Sequence, residues 1–298
     1  MLVSYKSILE KAFEGNYAVG AFNCLSLENV IGVINAAEKL NSPVILQLAE
    51  VQFPYSPMEL MAPMFLKAAH ESKVPVAVHL DHGQSFETCA KAIKLGFNSV
   101  MFDGACLPYE ENVRITADVV RMAKAQGVDV EAELGKVGDT GDGGEGTGDA
   151  STADVFTNVE ESASFIAETG IDALAIAIGN LHGNYIATPK LNIDRLKEIR
   201  ERNNLPLVLH GGSGTSEADF KACAHNGIAK VNVATAVQMA ITKKIQEYLA
   251  TAAKPNYIDM KWKMVEASEE AAAYRQEGAA EAVQSAEAGT ENQDGRGE

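Results

Sequence analysis

Residues 206–235, PLVLHGGSGTSEADFKACAHNGIAKVNVAT, decide the fold. An apolar run at 206–210 ends in a histidine and a glycine-rich turn. A polar stretch with helical character follows, and a second apolar run at 228–232 ends in an asparagine. Continuous apolar character suits strands covered on both faces, as in a parallel sheet. Working outward, runs of the same kind recur at 17–23 (YAVGAFN), 43–48 (PVILQL), 75–81 (PVAVHLD), 98–102 (NSVMF), 128–134 (VDVEAEL) and 172–178 (DALAIAI). Helical patterns lie between them. The spacing predicts that Leu27, Val30, Ile31, Ile34 and Ala37 share the core face of 26–41. It predicts the same for Phe86, Ala90 and Ile93 in 85–95, and for Val113, Ala117, Val120 and Ala123 in 110–126. Alternation sustained eight times predicts an α/β protein, a (β/α)8 TIM barrel. No GxGxxG follows the first strand, which argues against a doubly wound dinucleotide-binding sheet.

The rest of the composition agrees. The chain has 298 residues, 46% hydrophobic and 22% charged, enough for one barrel of about 250 residues. Its formal net charge of -16 would repel a phosphate backbone, which excludes general nucleic-acid binding. No apolar run approaches the length of a membrane span, and the N-terminus lacks a basic-then-apolar signal pattern. Cys24, Cys89, Cys106 and Cys223 are scattered, as expected of reduced thiols in a cytoplasmic protein. Two segments break the rhythm. Residues 135–156 form a long Gly-, Asp- and Thr-rich loop after the fifth strand, where barrel enzymes carry lids and binding loops. The barrel is expected to span 1–265. An acidic Ala/Glu/Gly-rich tail, 266–298, follows; its first part continues a helix and its end, from about 286, is expected to be disordered.

Polar residues at the C-terminal ends of barrel strands line the mouth. In chain order these are Asn23, Asp81 and His82, Asp103, Glu133, His182, His210 and Asn232. Three of the six histidines end three separate strands, a pattern that fits a metal shell with open positions and a borderline ion such as Zn2+. His79 lies three residues before His82, on the opposite strand face, and reads as a packed histidine. His70 and His225 fall on helical stretches and read as surface residues. The turn Gly211-Gly212-Ser213-Gly214 lets backbone N–H groups approach an anion, and Thr235 leads into the next helix. Loops after the seventh and eighth strands are the usual phosphate site of such barrels.

These segments carry a resemblance. AFN at 21–23, HLDHG at 79–83, MFDGA at 101–105, EAELG at 131–135, AIGNLHGNY at 177–185, PLVLHGGSG at 206–214 and KVNVAT at 230–235 resemble the class II, metal-dependent ketose-bisphosphate aldolases, which act on fructose-1,6- or tagatose-1,6-bisphosphate. The resemblance implies that His82, His182 and His210 hold a catalytic Zn2+. It implies that Asp103 and Glu133 occupy a neighbouring or alternate metal position, with room for a second divalent or a monovalent cation. Asp81 would be the base, and Gly183, Gly211, Ser213, Asn232 and Thr235 would grip dihydroxyacetone phosphate. Asn23 would touch substrate or the enediolate. A homodimer or homotetramer is expected, since these are usual in the family. No lysine stands at a strand end, because Lys230 precedes the end of the eighth, so a Schiff-base route is excluded.

The expected reaction is reversible cleavage of a ketose bisphosphate, fructose-1,6-bisphosphate foremost, to dihydroxyacetone phosphate and an aldehyde such as glyceraldehyde 3-phosphate. The alternatives are tagatose-1,6-bisphosphate or another phosphorylated sugar or sugar acid as substrate, a metal-dependent sugar-phosphate isomerase or epimerase, and a non-catalytic barrel. Four departures from the family pattern bear on substrate, one of them the acidic tail in place of the usual Gly-Ser ending with basic residues. Asn180 replaces a usual threonine or serine, and Ile186 a usual lysine, with Lys190 nearby. Gly141 stands where the loop usually carries a glutamate, leaving Asp139, Asp142 or Glu145 to supply the proton.

Overall fold

The computed structural model describes residues 1–139, 156–183 and 190–291. Eight parallel strands close a barrel in sequential order. They are β1 (Val19–Asn23), β2 (Val44–Ala49), β3 (Val76–Gly83), β4 (Ser99–Phe102), β5 (Asp129–Leu134), β6 (Ala173–Ile176), β7 (Leu207–Leu209) and β8 (Ile228–Val233), with β8 pairing back onto β1. Each expected run overlaps its strand; β2, β3 and β8 run one or two residues beyond the expected ends at 48, 81 and 232. Outward residues such as Val76, Val78, Leu80, Val130, Ala132, Leu207 and Leu209 pack under the surrounding helices. These are α2 (Leu27–Leu40), α3 (Met58–Glu71), α4 (Phe86–Lys94), α5 (Tyr109–Lys124), α6 (Val159–Thr169), α7 (Ile193–Arg202), α8 (Glu217–His225) and α9 (Thr235–Thr251).

The interior is lined by small side chains, among them Ala21, Ala77, Ala173, Ala175 and Ala229, which leave room at the N-terminal end of the barrel. A helix that the alternation did not require fills it. α1 (Tyr5–Glu14), capped by Ser4 Oγ accepting from Ser7 N at 3.2 Å, inserts Tyr5, Ile8, Leu9, Ala12 and Phe13. The lower half is thereby a packed apolar plug, and the polar residues collect above it.

The expected helix faces need correction. In α2 the buried apolar side chains are Val30, Val33, Ala36 and Ala37, while Leu27 is 46% exposed. In α4 they are Cys89 and Ala92, with Phe86 exposed. In α5, Asn112, Thr116 and Val119 join Val120 and Ala123 in the core, leaving Val113 and Ala117 half-buried. For α2 the cause is a second partner. One long helix, α10 (Tyr257–Glu291), runs across the expected boundary at 265, and residues 292–298 lie outside the described residues. Val265, Ala267, Ser268, Ala272 and Gln276 of α10 are buried, so the barrel's packing continues well beyond residue 265. Asn29 Nδ2 donates to Ser268 Oγ at 3.1 Å across the α2–α10 contact. Among the described residues, no helix is long and apolar enough to cross a membrane.

Gly32 sets how closely α2 and α10 approach: a Cβ there would stand 2.5 Å from Ser268 Cβ and 2.6 Å from Val265 O. Gly32→Val should therefore destabilise the fold by about 1–3 kcal/mol through overpacking, read as a lowered urea midpoint at unchanged slope. A midpoint equal to wild type would mean that α10 is not held against the barrel.

Candidate metal and phosphate centre

The barrel mouth begins with a conflict between strand geometry and chemistry. Successive side chains of a strand point to opposite faces, so Asp81 and His82 should not both face the interior. The chain resolves this with a left-handed residue: His82 has φ +44°, and the β3–β4 register shifts between Leu80 and Gly83. Asp81 remains inside the barrel while the His82 ring swings over the mouth, its Nε2 3.9 Å from Asp81 Oδ1. Such a conformation costs a β-carbon residue roughly 1–3 kcal/mol and persists where the surroundings enforce it.

His182 lies on a two-residue strand, Leu181–His182, that pairs in parallel with Gly138–Asp139, so the loops after β5 and β6 are zipped together. His210 follows β7 directly. The three rings meet edge-on, with centroids 5.0 Å apart for His82–His182, 4.5 Å for His82–His210 and 5.7 Å for His182–His210. One ligand nitrogen from each lies within 4.8 Å of the others, and His82, Asp103 and Glu133 form a second such group. The donor set fits a borderline divalent ion: three buried imidazoles, with carboxylates on the far side of His82.

Two of the three candidate ligands are oriented from behind. His82 Nδ1 lies 2.9 Å from Asp103 Oδ2. His210 Nε2 lies 2.8 Å from Glu131 Oε1; since a carboxylate accepts, the ring carries its proton there and turns Nδ1 toward the mouth. Glu131 is fully buried and is also held by Lys230 Nζ at 2.8 Å and by the Tyr5 hydroxyl. Burial would raise its pKa, but the Lys230 charge and the His210 hydrogen bond hold it well below the usual carboxylate range. Lys230 thus lies inside the eighth strand, as expected, locked in an ion pair. His79 is packed, stacked on Tyr5 at 4.9 Å with Nδ1 2.9 Å from Ser99 Oγ, and His70 and His225 are exposed.

Asp81 is gripped at both oxygens. Asn23 Nδ2 donates to Oδ2 at 2.8 Å and Asn232 Nδ2 to Oδ1 at 2.9 Å. Gln47 Nε2, donating to Asn23 Oδ1 at 2.7 Å, fixes the first amide. Burial alone would raise the Asp81 pKa, yet the neighbouring His82 and Lys230 charges bring it down to about 2. Glu133 is the reverse case. Burial and the Asp103 charge push it up to about 8, and its Oε2 is enclosed without a hydrogen-bond partner. A buried, unsatisfied oxygen beside Asp103 and His82 is what a cation position requires.

The phosphate candidates gather after β7 and β8. Gly211 has φ +69°, and a Cβ there would overlap Leu181 O, so glycine alone lets the His182 segment lie against this turn. Residues Gly212–Gly214 make one 3-10 turn, and Ser213 Oγ accepts from Ala236 N at 3.2 Å. Thr235 Oγ1 and Asn232 Oδ1 are buried without hydrogen-bond partners, and Gly183 is buried with φ +91°. Asn180 ties two ligand-bearing ends together, accepting from Ile178 N at 2.8 Å and donating to His210 O at 3.1 Å. Of the candidate loop carboxylates, the Asp139 backbone pairs with His182, whereas Asp142 and Glu145 lie outside the described residues. Ile186, too, lies outside them.

Strand-end reasoning missed Glu131, Gln47 and Tyr5. Two carboxylates at i and i+2 in β5 must face the same side, and the inward lysine two residues before Asn232 was the available sign that one of them is paired.

Comparison with known proteins gives the family. The family model for class-II fructose-bisphosphate aldolase matches residues 3–288. Fructose-bisphosphate aldolase of Geobacillus stearothermophilus is 43% identical over 263 residues, 87% of this chain and 88% of that protein. Fructose-bisphosphate aldolase of Staphylococcus aureus strain N315 is 42% identical over 253 residues, covering 83% and 86%. The crystal structure of the YdjI aldolase from Escherichia coli K12 superposes with a TM-score of 0.84 at 33% identity, covering 94% of this chain and 98% of that one. With the family match spanning nearly all of the barrel and α10, the chain belongs to the class II fructose-bisphosphate aldolase family.

Proposed function

We propose that the protein reversibly cleaves fructose-1,6-bisphosphate to dihydroxyacetone phosphate and glyceraldehyde 3-phosphate. The observation that carries the reading is the convergence of three histidine rings beside an ionised, doubly held Asp81. His82, His182 and His210 would hold Zn2+, with Asp103 and Glu133 offering a second cation position. The ion, when bound, polarises the ketone and stabilises negative charge developing at the adjacent carbon. Everything else falls to the chain. Asp81 takes the proton of the C4 hydroxyl as the C3–C4 bond breaks; the bond pair stays on C3 and C4 becomes the aldehyde carbonyl. The amides of Asn23 and Asn232 keep the carboxylate aimed through that transfer. Gly183, Gly211, Ser213 and Thr235, with Asn232, grip the phosphate and hydroxyls of the three-carbon half. A loop carboxylate, Asp139, Asp142 or Glu145, returns a proton to C3. A cytoplasmic homodimer or homotetramer completes the proposal.

A coupled assay for dihydroxyacetone phosphate should show turnover of fructose-1,6-bisphosphate that chelator removes and added zinc restores. Turnover surviving complete metal removal would sink the mechanism. His210→Ala should lose metal and activity together. Asp81→Asn should retain the zinc content of wild type while kcat falls about 10²–10⁴-fold, the usual worth of a positioned base. An unchanged kcat would move the base elsewhere.

A further inference from the structure

α10 reaches the phosphate turn through one side chain. Arg275 lies half-buried between Phe220 and Tyr274, its guanidinium carbon 5.7 Å and 5.5 Å from their ring centroids. Its Nη1 donates to Thr215 O at 3.0 Å and its Nη2 to Ser213 O, so the planar fork spans the end of the turn that carries Ser213. The consequence follows from peptide geometry. Across a trans peptide, the carbonyl of one residue and the N–H of the next point in opposite directions. A carbonyl of Ser213 drawn toward Arg275 therefore turns the Gly214 N–H away from α10, and holding Thr215 O does the same for the Ser216 N–H. The serine hydroxyl, accepting from Ala236 N, keeps its O–H to donate.

We infer that Arg275 is a positioning residue for phosphate recognition: from outside the site it holds the carbonyls of Ser213 and Thr215, so that the glycine-rich turn presents N–H groups to a phosphate monoester. Glycines flanking Ser213 would otherwise allow those peptides to rotate and offer carbonyl oxygens to the anion. α10 is thereby part of the substrate grip. The inference rests on the phosphate reading given under Proposed function.

The test compares wild type, Arg275→Ala and Arg275→Lys in fructose-1,6-bisphosphate cleavage, in inhibition by inorganic phosphate, and in the aldol reaction of unphosphorylated dihydroxyacetone. Losing two charge-assisted bonds should raise KM for the bisphosphate and Ki for phosphate roughly tenfold, with kcat changed less than about threefold. The lysine variant, restoring one bond, should fall between. The reaction of dihydroxyacetone should be unaffected. If Arg275→Ala does not stay folded at the assay temperature, Arg275→Gln serves in its place. Equal losses with both substrates, or KM and Ki unchanged, would overturn the inference. A wild type that binds phosphate but cleaves no bisphosphate would reject the aldolase reading alone, leaving the phosphate Ki to decide this one. A wild type that binds no phosphate overturns both.

Discussion

Glu131 is a carboxylate placed where water does not reach it, and much of the barrel is arranged around that charge. Burying an ion without partners costs several kcal/mol, so its neighbours have to answer it. Three do, each from a different element: Lys230 from β8, His210 from the end of β7, and Tyr5 from the helix that plugs the barrel floor. The pair with Lys230 is thus weak evidence for stability, whatever it does for the arrangement of its neighbours. Strand register on two sides of the barrel, the seating of α1 and the tautomer of a metal-ligand candidate all depend on one side chain. The small interior alanines make the arrangement possible, since larger residues would leave no room for Tyr5 to reach Glu131 from below.

The same interior holds three carboxylates in different states, and the difference is local. Asp81 faces His82 and Lys230 and receives two amide donors, so it is ionised and aimed. Glu131 is ionised but saturated by its partners. Glu133 faces Asp103 and has an oxygen with no donor, so burial and that neighbouring charge push its pKa up to about 8. One group can take a proton, one is committed to structure, and one is short of positive charge. Environments that push neighbouring carboxylates apart in this way are a common feature of catalytic sites.

The barrel was legible because continuous apolar runs have one stable home, a parallel sheet covered on both faces, and all eight runs found it. The mouth was legible because chemistry at strand ends is a property of the fold: His82, His182, His210, Asp81, Asp103 and Glu133 do converge. What escaped has a common cause. Periodicity reports one face of a helix, but α2 has two partners, and its contact with α10 depends on Gly32 and Asn29 rather than on the apolar stripe. Likewise the packing of the acidic tail escaped, because from 266 onward its buried residues are Ala267, Ser268, Ala272 and Gln276, with no large apolar side chain among them. Glu131 escaped because its role exists only once Lys230 and Tyr5 are brought to it from distant parts of the chain.

Strand geometry alone could not have built the site. Alternation sends neighbouring side chains apart, whereas the chemistry needs Asp81 and His82 side by side and two loops pressed together behind them. The chain meets this with positive φ near a few strand ends: His82 next to the last residue of β3, Gly183 beyond His182, and Gly211 beyond His210. At Gly211 no side chain would fit, and the glycine is the cheap solution. At His82 the backbone takes the left-handed conformation with a full side chain attached, held by its bond to Asp103. The rigid barrel below tolerates that strain because its own packing does not depend on it. The mouth can therefore be bent to the reaction while the fold is carried by the apolar plug and the outer shell of helices.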